Sequence, residues 1–199
     1  MEEILHRYEK KKSEIKKSLE KFKIKTDYEQ FKEFQFCLLT PQSNAQRCWT
    51  AVELISKIEN PSLAQITEIL SKKTRFHNTK AKRIARSREM FSKIKYLLSN
   101  PDKVQLRNQI SQIVNGYGLK ESSHFLRNIG LSENKIAILD RHIIKNLFKY
   151  NAIKEQKIKS KKNYLEIEKI FIEFASKINI PLDELDILWW SQENGEIFK

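Results

Sequence analysis

At 199 residues, the chain has room for one large core or two small lobes and no more. Its 40% hydrophobic content marks a folded protein, the apolar runs are too short to span a membrane, and the start Met1-Glu2-Glu3-Ile4 lacks a secretory signal, which together point to the cytoplasm. Lysine and arginine outnumber the acids by 38 to 25, a formal charge of +13 that favours a polyanionic partner.

Helical periodicity dominates in chain order, and no alternating run is long enough to insist on a sheet, so the expected class is all-α. The first helix, over 2–23, sets Ile4, Tyr8, Ile15, Leu19 and Phe22 against a lysine-rich face read as solvated. Helices follow over 27–39, 43–58, 62–72, 78–98, 102–114, 119–129, 140–150, 161–179 and 182–191. Asn60-Pro61 and Asn100-Pro101 read as a capping asparagine with proline at the first helical position. Pro181 opens the last helix, which carries Leu182, Leu185, Leu188 and Trp189 on one side. Cys37 and Cys48 lie in apolar helical contexts; a bond between them is open in principle, but buried thiols in a reducing compartment fit better. Two cysteines cannot supply the four thiolates of an iron–sulfur cluster, and four scattered histidines give no zinc site.

The densest signal lies between Val114 and Asp140. Three of the four glycines (Gly116, Gly118 and Gly130) fall there, and two of them bracket Tyr117. Apolar helical spacing runs up to Val114 and resumes at Leu119, so Gly116-Tyr117-Gly118 reads as a tight hairpin between two helices. The amides from Gly116 through Tyr117, Gly118 and Leu119 to Lys120 then form a phosphate-binding turn at a helix start. Asp140 precedes Arg141-His142-Ile143 as an N-cap residue.

These segments, with Leu119-Lys120-Glu121-Ser122-Ser123, Ala137-Ile138-Leu139-Asp140-Arg141-His142 and Leu185-Asp186-Ile187-Leu188-Trp189-Trp190, resemble the helix-hairpin-helix DNA glycosylase superfamily. More narrowly, they resemble its small archaeal and bacterial 8-oxoguanine DNA glycosylase/lyase family. The resemblance implies a two-lobed helical fold with the active-site cleft between lobes. Residues 26–134 would form the lobe holding the hairpin, and 1–25 with 135–199 the other.

It also implies a bifunctional enzyme that acts on duplex DNA with an oxidised base and needs no organic cofactor; a monomer is expected, no metal ligands are assigned, and a monovalent cation on the hairpin carbonyls is left open. Lys120 would be the Schiff-base nucleophile, which requires a deprotonated amine. Asp140 would stabilise the positive charge that develops on the sugar, while still capping its helix. Phe76 and Trp190 would face a flipped base, with Trp189 left to the core. Lys199 would reach back to the lesion with an ammonium and a carboxylate. Gln42 would fill the gap left by the extruded nucleotide, although Pro41-Gln42 departs from the family's usual Ala-Asn. The alternatives are a glycosylase for another oxidised or alkylated base, and a non-catalytic helix-hairpin-helix DNA-binding module.

Overall fold

The computed structural model describes residues 1–23 and 26–195, and every regular element among them is helical. The chain divides into two compact units, Lys25–Phe125 on one side and Met1–Ile24 with Leu126–Lys199 on the other.

The central unit is built around α2 (Asp27–Leu39), which starts with a reciprocal cap: the Thr26 hydroxyl accepts from the Glu29 amide, and the Glu29 carboxylate accepts from the Thr26 amide. Seven consecutive residues, Glu33 to Leu39, are buried. A helix buried on every face must be surrounded, and α2 packs against α3 (Ala45–Ser56), α5 (His77–Ala85) and α6 (Ser87–Lys95). Phe34 meets Phe91, Tyr117 and Phe125 at centroid distances of 5.5, 5.1 and 5.7 Å, which ties the hairpin region to α2. The helices α4 (Leu63–Ser71), α7 (Lys103–Ile113) and the first part of α8 (Leu119–Asn128) complete this unit.

Two expectations are corrected here. Neither Asn60 nor Asn100 caps a helix. The caps lie two residues on, at Ser62, which forms a reciprocal cap with Gln65, and at Asp102, which accepts from the Gln105 amide. Asn60 instead takes a left-handed turn (φ 49°), and Asn100 accepts from the Asp102 amide at 2.9 Å. The single helix expected over 78–98 is broken at Arg86, whose backbone (φ −98°, ψ 2°) leaves the helical region. There the buried Ser87 hydroxyl donates to the Ile84 carbonyl and accepts from Gln35, so the break is satisfied from within the core. Beyond α6, Tyr96–Ser99 forms a tighter 3-10 turn.

In the other unit, α1 (Glu2–Lys23) packs on α11 (Leu182–Asn194), and α11 also packs on α9 (Arg141–Lys149) and α10 (Lys161–Lys177). Ile4, Tyr8, Ile15 and Phe22 are buried as their spacing requires, while Leu19 is half-buried and the intervening lysines are exposed or partly so. The Tyr8 hydroxyl donates to Glu184 Oε2 at 2.6 Å. Trp189 is fully buried, stacked 5.4 Å from Phe171 and 6.0 Å from Tyr150. Both cysteines are free and buried, and no described helix is long and apolar enough to cross a membrane.

Candidate active site

The hairpin residues are placed by the central unit's own packing. Val114 ends α7 with an extended backbone (φ −91°, ψ 108°), and the Tyr117 amide closes the turn on the Val114 carbonyl at 3.1 Å. The Tyr117 ring is buried and its hydroxyl donates to the Phe34 carbonyl at 2.7 Å. Burial pushes that phenol well above its ordinary pKa. Tyr117 therefore anchors the hairpin from beneath, with its amide and hydroxyl both engaged.

Gly116 has a φ of +106°, which only glycine adopts freely. A Cβ there would lie 2.7 Å from Arg83 Cδ and 2.8 Å from Arg83 Nε, so the arginine stem lies directly across the turn. Gly116→Ala should lower stability by about 1–3 kcal/mol, because the backbone strain remains even if Arg83 moves. Thermal melts of G116A and of G116A with Arg83→Ala test this. An unchanged melting temperature in both would show that the turn is more pliable than its geometry.

The Gly118 amide donates to Glu121 Oε2 at 3.1 Å, and the other oxygen of that carboxylate lies 2.9 Å from Lys120 Nζ. Glu121 thus closes the start of α8 and holds the lysine's ammonium in one residue's reach. Of the hairpin amides, those of Gly118 and Tyr117 are engaged internally, while Leu119 and Lys120 lie on the first helical turn, where amides have no intrahelical acceptor. Lys120 is partly exposed, with 28% of its side-chain surface accessible.

A second basic group, Lys80, lies buried in the same unit. Its ammonium donates to the carbonyls of Leu39 (2.7 Å) and Pro41 (2.8 Å) and to the Ser43 hydroxyl (2.8 Å). Burial lowers its pKa to about 8, against the nearby Cys48 thiol and reinforced by the charges of Arg83, Lys120 and Arg75. Lys80 and Arg83 therefore join the lysine and the hairpin in one basic neighbourhood. Gln42 is exposed on the segment that Lys80 holds, with φ 55°. Phe76, at the start of α5, is also left-handed (φ 57°) and 55% exposed, with the Arg75 guanidinium 5.4 Å from its ring centroid.

In the other unit, Asp140 caps α9: its Oδ1 accepts from the amides of His142 (2.7 Å) and Ile143 (2.9 Å). Both bonds end on one oxygen, so Oδ2 takes no part in the cap. Nearby, Asp186 is buried and paired with Arg127 at 3.4 Å. Burial pushes the Asp186 carboxyl up to about 7, opposed by Arg127 and helped by the charges of Asp140 and Asp183. Trp190 follows the core tryptophan on α11 and is half-buried. Lys199 lies outside the described residues.

Sequence reasoning missed Lys80, Arg83, Glu121, Arg127 and Asp186. For Glu121 a signal existed, since an acid three residues after Gly118 is a capping position. The others read as ordinary polar positions on amphipathic helices, and nothing local distinguishes them.

Comparison with known proteins places this geometry among relatives of one kind. Residues 5–180 match the profile of a family described as 8-oxoguanine DNA glycosylase. The 8-oxoguanine DNA glycosylase/AP lyase of Fusobacterium nucleatum is 38% identical, over 96% of this chain and 94% of that protein. The protein of the same name from Methanocaldococcus jannaschii is 34% identical, over 96% of both chains. A crystal structure of the M. jannaschii 8-oxoguanine glycosylase/lyase with a 15mer DNA containing 8-oxoguanine covers 100% of both chains, with a TM-score of 0.87 and 31% identity. That of the Thermotoga maritima 8-oxoguanine DNA glycosylase has a TM-score of 0.88 at 30% identity, covering 100% of this chain and 97% of that one.

Proposed function

This chain belongs to the 8-oxoguanine DNA glycosylase/AP lyase family, and from that premise we propose that it excises 8-oxoguanine from duplex DNA and cleaves the strand through an imine at Lys120. The observation that carries the site assignment is Lys120 on the first turn of α8, directly behind Gly116-Tyr117-Gly118. Open amides at that turn receive a backbone phosphate, which brings the lysine to the sugar of a neighbouring nucleotide.

The chemistry balances without a cofactor. The neutral Lys120 amine attacks C1′ as the bond to the base breaks, and the base leaves with the electron pair and gains a proton. The attached amine loses a proton and the sugar ring opens, giving the imine. Loss of a proton from C2′ then expels the 3′ phosphate, and water releases the lysine. Asp140, through the oxygen its cap leaves unused, offsets the positive charge on the sugar as the base departs. Phe76 and Trp190 stack on the two faces of the flipped base, and Gln42 occupies the vacated space in the duplex.

The test is borohydride trapping and single-turnover cleavage across a panel of lesion-bearing duplexes. A covalent adduct on 8-oxoguanine DNA supports the reading. Binding with no adduct on any lesion would reduce the protein to a binding module. Affinity for plain duplex should fall with a log–log salt slope of roughly −4 to −5, as for about five neutralised phosphates. A flat salt response would show that the +13 charge is not spent on DNA.

A further inference from the structure

Among the described residues, seven other than glycine have a left-handed backbone: Gln42, Asn60, Phe76, Glu133, Asn134, Asn151 and Asn179. Four are asparagines, which adopt that conformation at little cost. Gln42, Phe76 and Glu133 are not of that kind, and of these Glu133 lies beside the left-handed Asn134 in the other unit. A bulky aromatic at φ 57° is uncommon, and it persists only where the surroundings hold it. Gln42 and Phe76 are both exposed, and the one ring contact of Phe76 among the described residues, with Arg75, comes from its own chain neighbour, so neither side chain is seated in the core.

One small network joins the two segments that carry Gln42 and Phe76. The Ser43 hydroxyl oxygen accepts from Lys80 Nζ at 2.8 Å and from the Arg75 amide at 3.0 Å. The same Lys80 ammonium accepts no other duty: its remaining donors go to the carbonyls of Leu39 and Pro41, on either side of Thr40. The Ser43 amide in turn donates to the Thr40 carbonyl at 3.0 Å, closing the turn that contains Gln42. Ser43 is thus bonded to the residue immediately before Phe76, and it immediately follows Gln42. The lysine is buried and its charge is uncompensated by any carboxylate within the network, which makes its three acceptors the condition for its burial.

We propose that Lys80 and Ser43 form a positioning node that holds Gln42 and Phe76 in fixed register, so that filling the gap in the duplex and stacking on the extruded base are coupled. This rests on the roles given above to Gln42 and Phe76. Neither node residue touches the reacting atoms. Each acts by fixing two protruding side chains that would otherwise relax out of the left-handed region.

The experiment compares Ser43→Ala, Lys80→Met, Gln42→Ala and Phe76→Ala, with the double variants S43A/Q42A and S43A/F76A. Single-turnover excision of 8-oxoguanine from duplex is one readout, and borohydride trapping on a single-stranded abasic oligonucleotide is the other. The second substrate has no opposing strand and no base at the reacting sugar, so it reports on imine formation without gap filling or stacking on an extruded base. S43A should slow duplex excision about tenfold, since one half-buried acceptor serving two donors is lost. K80M should slow it at least as much. Each double variant should be little worse than its worse single, because the partner side chain is already misplaced. Trapping on the single strand by S43A should stay within about twofold of wild type, because the change removes no charge and touches none of the groups that meet the sugar.

S43A is the decisive change, because it removes one oxygen and leaves the lysine's backbone acceptors in place. Wild-type excision by S43A, in a background where Q42A or F76A is slow, overturns the node. So does full additivity in both doubles, or a parallel loss of single-strand trapping. If Q42A and F76A both excise at the wild-type rate, the roles assigned to those side chains fail, and the node falls with them.

Discussion

Lys120→Gln should abolish imine trapping and strand cleavage while leaving duplex binding close to wild type. Glutamine has similar reach but no nucleophilic amine, so no covalent adduct can form with C1′. The fold has little reason to respond. Lys120 is partly exposed, and its ion pair with Glu121 is of the kind worth about 0–1 kcal/mol. A cation on the first turn of a helix is also mildly unfavourable, and the substitution removes it. The amides of residues 119 and 120 stay where they are, so the phosphate contact should survive. The measurement pairs trapping on 8-oxoguanine duplex with a binding isotherm at fixed salt. Strand cleavage at the wild-type level would assign the nucleophile elsewhere.

Asp140→Asn should slow base release by about 10²-fold or more, the scale of losing one preorganised charge-stabilising group in an active site. This substitution separates two roles that occupy one side chain. Asparagine is as good an N-cap as aspartate, and its carbonyl oxygen can keep the bonds from His142 and Ile143. The helix start is therefore preserved while the negative charge is lost. Melting temperature and duplex affinity should be nearly unchanged, and the single-turnover excision rate should not. A rate equal to wild type would leave Asp140 as a cap and nothing else. Loss of both rate and stability would mean that the charge, and not the cap, holds α9 in place.

The same two residues show what was readable in the chain. The hairpin was legible because two glycines in a glycine-poor chain interrupt helical spacing, and Gly116 does have the positive φ that such an interruption implies. The Asp140 cap was legible because capping is settled by bonds to amides two and three residues on. Capping was also where local reasoning failed. Asn60 and Asn100 each precede a proline, but Ser62 and Asp102 compete for the same helix starts and win. A residue before proline is biased away from helix, and each asparagine turns instead. The break at Arg86 was invisible because apolar spacing continues through it, and its cause is a contact between Ser87 and Gln35, 52 positions away.

The all-helical class, the hairpin and the capping aspartate were legible in the chain itself, since periodicity, turn glycines and caps are each decided within about four residues, while the role given to Lys120 came from the family resemblance. Only the tertiary structure decided what surrounds them. The Lys80 ammonium meets acceptors 37 to 41 positions away, and Ser43 meets the Arg75 amide across 32. Arg83 crosses Gly116 from another helix, and Asp186 finds Arg127. A buried charge is tolerated only where partners converge on it, and that convergence is a property of packed helices that no window along the chain contains.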